Sequence, residues 1–120
     1  MRFIPRRRRK PLDTKYFTTQ WKELQKGCAT RKTWPQAIID ADNLVDEALT
    51  QARYKGKTTG EKLVAAQHTL TSNDTVWAAH KLRNRIEQDE IDVRKLKKND
   101  MLTALVGFRE ALRDLGALKS

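Results

Sequence analysis

Apolar side chains recur every three or four residues along most of this 120-residue chain, and this spacing is the strongest constraint on its fold. The clearest case is "KNDMLTALVGFREALRDLGAL", where Met101, Leu105, Phe108 and Leu112 fall on one face of a helix. No stretch alternates apolar and polar residues long enough to indicate a strand. The sequence therefore predicts an all-α fold.

Four helices are predicted from residue 33 onward. They begin at Thr33, at the capping box Thr58 with Glu61, at "TSNDTVW" and near Lys97. The first of them is expected to run to Gly56, and the last to end at Gly116. Short loops between them favour an antiparallel four-helix bundle with alternating directions. Trp34 and Trp77 are expected in its core, each with a partner for its indole N–H.

A shorter amphipathic helix is predicted before this bundle, over residues 14–26. Asp13 suits its N-cap, and Phe17, Trp21 and Leu24 lie at helical spacing before Gly27. This helix either packs onto the rest of the chain or shares an aromatic face with a partner.

Positive charge is concentrated at the start of the chain. Of the net +10, residues 1–35 contribute eleven Lys and Arg against two acidic residues, a net of +9, whereas residues 36–120 contribute +1. We therefore divide the chain into an extended basic arm (1–12), an N-terminal helix and linker (13–32) and a helical bundle (33–120). A near-neutral domain with a polyarginine leader is typical of a module tethered to a polyanion.

Several classes of protein are disfavoured by composition. No apolar run is long enough to span a membrane, and no apolar segment follows the basic N-terminus as in a secretory signal, so a cytoplasmic location is expected. The single cysteine, Cys28, excludes an internal disulfide and is expected to be a small packed apolar residue. No cofactor and no metal are expected.

Four segments in order, "WPQAIIDADNLVDEAL", "YKGKTTGEKL", "VWAAHKLRNRI" and "FREALRDLGAL", resemble small helical bacterial proteins of the HEPN superfamily. The resemblance covers about residues 34–118. It implies a HEPN-like helical bundle, and in catalytic members a ribonuclease site in which an Arg and a polar neighbour precede a His by four to six residues on one helix. Such domains dimerise so that two sites face a shared cleft.

In this sequence the resemblance places that motif on Arg83, Asn84 and Gln88. The Arg would stabilise charge on the phosphorane, and the missing His would transfer the proton. Gln88 cannot titrate, and no His follows Arg83 or any later arginine. We therefore expect a degenerate motif and no enzyme, with no catalytic residue.

Other candidate sites in the chain are weaker. Asp42 and Asp46 lack a His or Cys at ligand spacing and are expected on a solvated acidic face. His80 precedes Arg83 by nearly one turn, and a reversed His-then-Arg site is conceivable, but an aromatic residue on an apolar stripe is usually part of the core. His68 has no arginine upstream within six positions.

Binding is therefore the predicted function. Guanidinium groups pair with phosphates and stack on bases, and ten extended residues of the arm reach roughly 35 Å. Tyr16, Phe17 and Trp21 are aromatic candidates for base stacking. The expected RNA-binding residues are Arg2, Arg6, Arg7, Arg8, Arg9, Lys10, Lys15, Lys22, Lys26, Arg31 and Lys32.

The partner is expected to be RNA, ribosomal RNA first, with neighbouring ribosomal proteins as further contacts and no membrane. A ribosomal or ribosome-associated protein is the leading interpretation, and a monomer on RNA is expected slightly ahead of a homodimer. The alternatives are an inactive HEPN-like interaction or antitoxin module, a minimal HEPN ribonuclease toxin, and an arm held on anionic lipid. The last lacks the large apolar anchor that usually accompanies such attachment.

Overall fold

Two helices begin at side-chain caps that the sequence predicts. The computed structural model describes residues 11–119. The carboxylate of Asp13 accepts a hydrogen bond from the backbone N–H of Tyr16 at 3.1 Å. The hydroxyl of Thr58 accepts from the N–H of Glu61 at 3.1 Å, and the Glu61 carboxylate accepts in turn from the N–H of Lys57 at 2.8 Å. The predicted caps at Asp13 and Thr58 are thus confirmed, whereas the side chain of Thr33 precedes its helix without a capping hydrogen bond.

Five α-helices form in residues 11–119, which contain no strand, so the all-α prediction is confirmed. Three short 3₁₀ turns lie between them, Lys26–Cys28, Arg31–Thr33 and Val93–Lys95. The helices are α1 (Thr14–Gln25), α2 (Trp34–Gln51), α3 (Thr59–Ala65), α4 (Asn73–Glu87) and α5 (Lys98–Asp114).

The second helix is shorter than predicted. It ends at Gln51 rather than near Gly56. Arg53 adopts a left-handed φ of 69°, and the N–H of Tyr54 donates to the carbonyl of Leu49 at 3.0 Å. This backbone closure stops a helix even though the residue in the left-handed position is not glycine. The helix that opens at Thr58 was expected to continue through Leu70, and it ends earlier, at Ala65.

One apolar core joins α1 to the later helices. Phe17 and Trp21 of α1 are buried in the same cluster as Val45 of α2 and Phe108 of α5. The expectation that α1 packs onto the rest of the chain is therefore confirmed. With Phe17 and Trp21 buried, the proposal that they stack on bases is wrong, because neither ring is accessible.

The two predicted core tryptophans have different environments. Trp34 is buried, and its indole N–H donates to the carbonyl of Cys28 at 2.9 Å, as expected. Trp77 is 38% exposed, so its placement in the core was wrong. Its ring lies over Gly60, where an added Cβ would approach the ring to 3.3 Å.

Helices α4 and α5 run in opposite directions and approach closely. Near the start of α4, the carbonyl of Thr75 would lie 2.9 Å from a Cβ at Gly107, in the second half of α5. Leu82 and Asn99, at the other ends of these helices, line one depression. The end of α4 and the start of α5 therefore share one end of the molecule. Within residues 11–119, no helix has the length and apolarity needed to cross a bilayer.

Candidate functional site

The predicted RNA-binding residues fall into two groups. Arg2, Arg6, Arg7, Arg8, Arg9 and Lys10 lie outside the described residues. Lys15, Lys22, Lys26, Arg31 and Lys32 are all exposed, on α1 and the two 3₁₀ turns that follow it.

Most of the described cations of this set lack a carboxylate partner. Lys26 pairs with Glu23 at 3.0 Å, but both side chains are about 70% exposed, and such a surface pair contributes little. No carboxylate of residues 11–119 lies within 4 Å of Lys15, Lys22, Arg31 or Lys32. Their charges are therefore available to an anion.

Arg31 connects two segments that are distant in sequence. Its Nη1 donates to the backbone carbonyl of Arg94 at 3.2 Å and to that of Leu96. Its guanidinium also lies 4.8 Å from the centre of the Trp34 ring, within the range of a cation–π interaction. These contacts hold the Arg31–Thr33 turn against the Val93–Lys95 turn.

This contact brings a second basic segment, which the predicted RNA-binding set does not include, against the first. Arg94, Lys95, Lys97 and Lys98 are exposed, as Arg31 and Lys32 are. We call the six residues the basic junction: Arg31, Lys32, Arg94, Lys95, Lys97 and Lys98. The net charge of +1 over residues 36–120 concealed this local concentration of positive charge. The run "VRKLKK", which contains no acidic residue, was a signal in the sequence that could have revealed it.

One carboxylate moderates the charge of the basic junction. Asp92 accepts hydrogen bonds from the backbone N–H of Arg94 at 3.0 Å and from its Nε at 3.1 Å. The side-chain hydrogen bond from Arg94, with that from its backbone N–H, lowers the pKa of Asp92. The same pairing raises the pKa of Arg94.

A second group of polar residues is buried between α2 and α4. Asp42 is fully buried, and its carboxyl oxygens lie 3.0 and 3.2 Å from Nδ1 of His80. Nη1 of Arg83 lies 3.3 Å from the same carboxyl. The expectation that Asp42 is solvated and lacks a histidine partner is therefore wrong. The partner was missed because it lies 38 residues away in sequence.

Arg83 and Asn84, two of the three residues of the predicted motif, both belong to this group. Nη2 of Arg83 donates to the Asn43 side-chain oxygen at 3.1 Å and lies 3.4 Å from the Glu87 carboxylate. Nδ2 of Asn84 lies 3.3 Å from Nε2 of His80. We call Asp42, His80, Arg83 and Asn84 the buried polar cluster.

Gln88 does not take part in this cluster. It is exposed and forms the C-cap of α4, where its N–H donates to the carbonyl of Asn84 at 2.9 Å. The structure thus brings two of the three motif residues together and leaves the third at the helix end.

The buried polar cluster largely satisfies its own hydrogen bonds. With Nδ1 facing the Asp42 carboxyl, the ring proton belongs on Nδ1, and Nε2 then accepts from the Asn84 amide. Two carboxylates, those of Asp42 and Glu87, offset the charge of Arg83. Among the described residues only Nε of Arg83 is a buried side-chain polar atom without a partner. The main role of these hydrogen bonds and ion pairs is therefore to hold α4 against α2.

The remaining candidates offer little for catalysis. Burial raises the pKa of the Cys28 thiol, which disfavours the nucleophilic thiolate. Asp46 accepts from Lys62 Nζ at 3.0 Å and from the Thr59 hydroxyl at 2.9 Å, so it ties α3 to α2. His68 is exposed. In the part of the chain that the structure describes, no three His, Cys, Asp or Glu side chains are grouped as metal ligands.

Of the aromatic candidates for stacking, only Tyr16 is exposed, at 37%. A hydrogen bond with Glu47 raises the pKa of its phenol.

Comparison with known proteins gave no match to any family model, curated protein or solved structure.

Proposed function

We propose that this protein binds RNA without catalysing a reaction, as a ribosomal or ribosome-associated protein. The observation that carries the proposal is the set of exposed cations on α1 and the Arg31–Thr33 turn, because no carboxylate of residues 11–119 pairs with Lys15, Lys22, Arg31 or Lys32. An unpaired surface cation favours phosphate binding, because the counterions that surround the nucleic acid are released when the cation replaces them.

The basic arm extends this surface in the sequence. Arg6, Arg7, Arg8, Arg9 and Lys10 form an uninterrupted run directly before the described residues. Each guanidinium offers a planar set of donors that matches a phosphate. Arginine-rich segments that become ordered on binding are common among RNA partners, and this favours RNA over DNA.

We also propose that the helical core is a HEPN-like antiparallel bundle with a degenerate ribonuclease motif. The order of the four quoted segments supports the relationship, and the position of Gln88 at the end of α4 supports the loss of proton transfer. In this proposal Arg83 and Asn84 remain as packing and hydrogen-bonding residues of the buried polar cluster.

The proposal is tested by sedimentation of a lysate on a density gradient at low and high salt. We expect the full chain to co-migrate with ribosomal particles at low salt and to leave them as salt rises. Deletion of residues 1–12 should abolish the co-migration. Replacement of Arg6, Arg7, Arg8 and Arg9 by lysine is the matched control, because it keeps the charge and should retain most binding.

A protein that stays at the top of the gradient at every salt concentration overturns the ribosomal assignment. Co-migration with a protein complex that contains no RNA would instead favour an interaction or antitoxin module.

A minimal ribonuclease is the second candidate, because the imidazole of His80 and the guanidinium of Arg83 both contact the buried carboxyl of Asp42, at 3.0 and 3.3 Å. A base and a cation are the groups that phosphodiester cleavage requires. This candidate predicts RNA cleavage by purified protein that both Arg83→Ala and His80→Gln abolish. Intact RNA after prolonged incubation with the wild-type chain contradicts it.

A further inference from the structure

A small apolar recess lies within the basic junction. It has a volume of about 240 Å³ and is lined by Arg31, Lys32, Pro35, Val93 and Arg94. The lining is almost entirely apolar, because Pro35 and Val93 contribute carbon atoms and the cations contribute their aliphatic stems. Sites for drug-sized ligands measure about 300–1,000 Å³, so this smaller recess has room for a single ring rather than a drug-sized ligand.

The recess has a cationic rim, because Arg31, Lys32 and Arg94 are three of its five lining residues. Lys95, Lys97 and Lys98 follow closely after Arg94 in sequence and are exposed. No carboxylate of residues 11–119 lies within 4 Å of the ammonium group of these three lysines, and only Asp92 pairs with Arg94. The carboxylate of Asp100 accepts from the backbone N–H of Lys97 at 3.3 Å. An apolar floor with a cationic rim matches a ligand that carries a flat apolar ring beside anionic groups.

The guanidinium of Arg31 is held in a position to bind such an anion. Its Nη1 is occupied by the carbonyls of Arg94 and Leu96, which fix the side chain without cancelling its charge. Its Nε and Nη2 make no hydrogen bond within residues 11–119. These two atoms form the edge of a guanidinium that pairs with two oxygens of one phosphate.

We infer that this recess binds one unpaired nucleobase of single-stranded RNA, with the adjacent phosphates held by Arg31, Lys32 and Arg94. The inference rests on the proposed RNA-binding function and specifies the form of RNA that the basic junction recognises. In a duplex each base is stacked and paired, so only a splayed base of a loop, bulge or end can enter a recess of one ring.

Other anionic partners fit the recess less well. A lipid surface requires a large exposed apolar face, whereas Val93 is only 36% exposed and the recess is small. An acidic peptide would satisfy the cations but offers no flat ring for the apolar floor unless it also carries an aromatic residue. The combination of one ring and flanking charge favours a nucleotide.

The test uses the full chain and fluorescence anisotropy with a labelled single-stranded RNA, and with the same strand paired as a duplex. Val93→Asp places a carboxylate in the recess, and we expect it to weaken single-strand binding about tenfold, because the base would have to cover a charged group and the adjacent phosphates would be repelled. Duplex binding should change less than about threefold, because a surface charge alone acts on it. Val106→Asp is the matched control, since Val106 is 54% exposed on α5 and should leave both affinities unchanged.

The neighbouring charge of the basic junction is tested separately with Lys95→Glu combined with Lys98→Glu. For single strands, the slope of log affinity against log salt should become shallower by about 0.7 for each phosphate that the protein no longer neutralises. Lys55→Glu combined with Lys57→Glu changes the same charge in the exposed loop after α2. The 18 residues of α2 separate the two sites, about 27 Å at 1.5 Å per residue. This control should alter the slope less.

The outcomes distinguish this inference from the proposed function. If Val93→Asp has no effect while deletion of residues 1–12 abolishes RNA binding, the recess is wrong and the RNA-binding proposal stands. An equal loss for duplex and single strand also overturns the recess, because it indicates charge alone. If the wild-type chain binds neither RNA, both proposals fail, and binding to anionic vesicles that Val93→Asp abolishes would assign the recess to lipid. Circular dichroism of each variant confirms that the helices persist.

Discussion

Arg31 and Arg83 are both arginines that join separate segments, but their surroundings differ in charge. Arg31 donates to two backbone carbonyls and lies over the Trp34 ring, with no carboxylate of residues 11–119 within 4 Å. Arg83 is mostly buried, with a side-chain exposure of 16%, and lies within 3.4 Å of the carboxyls of Asp42 and Glu87.

Arg31 is held in position and keeps its charge, whereas Arg83 is held in position by carboxyls that also neutralise its charge. A carbonyl oxygen orients a guanidinium while leaving its full charge to act on an anion outside. A buried carboxyl orients it and cancels the charge at short range, where the low local dielectric makes the pairing strong. Arg31 therefore suits phosphate binding, and Arg83 suits the internal packing of α2 against α4.

The largest expected effect is on the buried polar cluster. Asp42→Ala removes the shared partner of His80 and Arg83 and leaves the mostly buried Arg83 guanidinium with only the more exposed carboxylate of Glu87, which should lower the free energy of unfolding by about 3 kcal/mol. Urea denaturation measures this. The control Asp40→Ala changes an exposed carboxylate on the same helix and should stay within about 0.5 kcal/mol of wild type. Equal effects of the two variants would contradict the structural role of Asp42.

Two single substitutions, one at each arginine, test the comparison between Arg31 and Arg83 directly. Arg83→Gln should lower the free energy of unfolding by about 1.5–3 kcal/mol, because it removes hydrogen bonds to charged groups, and should leave RNA affinity near that of wild type. Arg31→Gln should lower stability less, by about 0.5–1.5 kcal/mol, and should weaken RNA binding and its salt dependence. Denaturation and anisotropy on the same samples give both quantities. A larger loss of affinity in Arg83→Gln would reverse the two roles.

The smallest expected effect concerns Asp92. Asp92→Asn removes the carboxylate beside Arg94, so RNA affinity near neutral pH should rise modestly, by about twofold, on the scale of one exposed ion pair.

The pH dependence of that effect has a definite sign. The pKa of Asp92 is lowered by Arg94, so the pairing is fully present above the ordinary pKa of an aspartate and disappears as pH falls through the lowered value. The difference in affinity between wild type and Asp92→Asn should therefore disappear at acidic pH. Anisotropy titrations at several pH values measure it, and a difference that grows on acidification would contradict the assignment.

Local signals in the sequence predicted the helices well and their ends less well. Asp13 and Thr58 cap helices as expected, because a cap depends only on residues within one turn. The end of α2 was misplaced because Arg53 takes a left-handed conformation that its residue type does not favour. Trp77 was misplaced because an apolar stripe on one helix does not show which of its residues a neighbouring helix covers.

The sequence by itself determined the helical fold, the concentration of charge in the first 35 residues and the absence of a titratable group at position 88, since periodicity, charge and residue chemistry need no knowledge of contacts. Only the tertiary structure decided that Asp42 is buried against His80 and Arg83, and that Arg31 joins Arg94 to form the basic junction. These pairs lie 38 to 63 residues apart. Their partners are therefore set by how the helices pack, and packing decides which charges are cancelled and which remain available to a ligand.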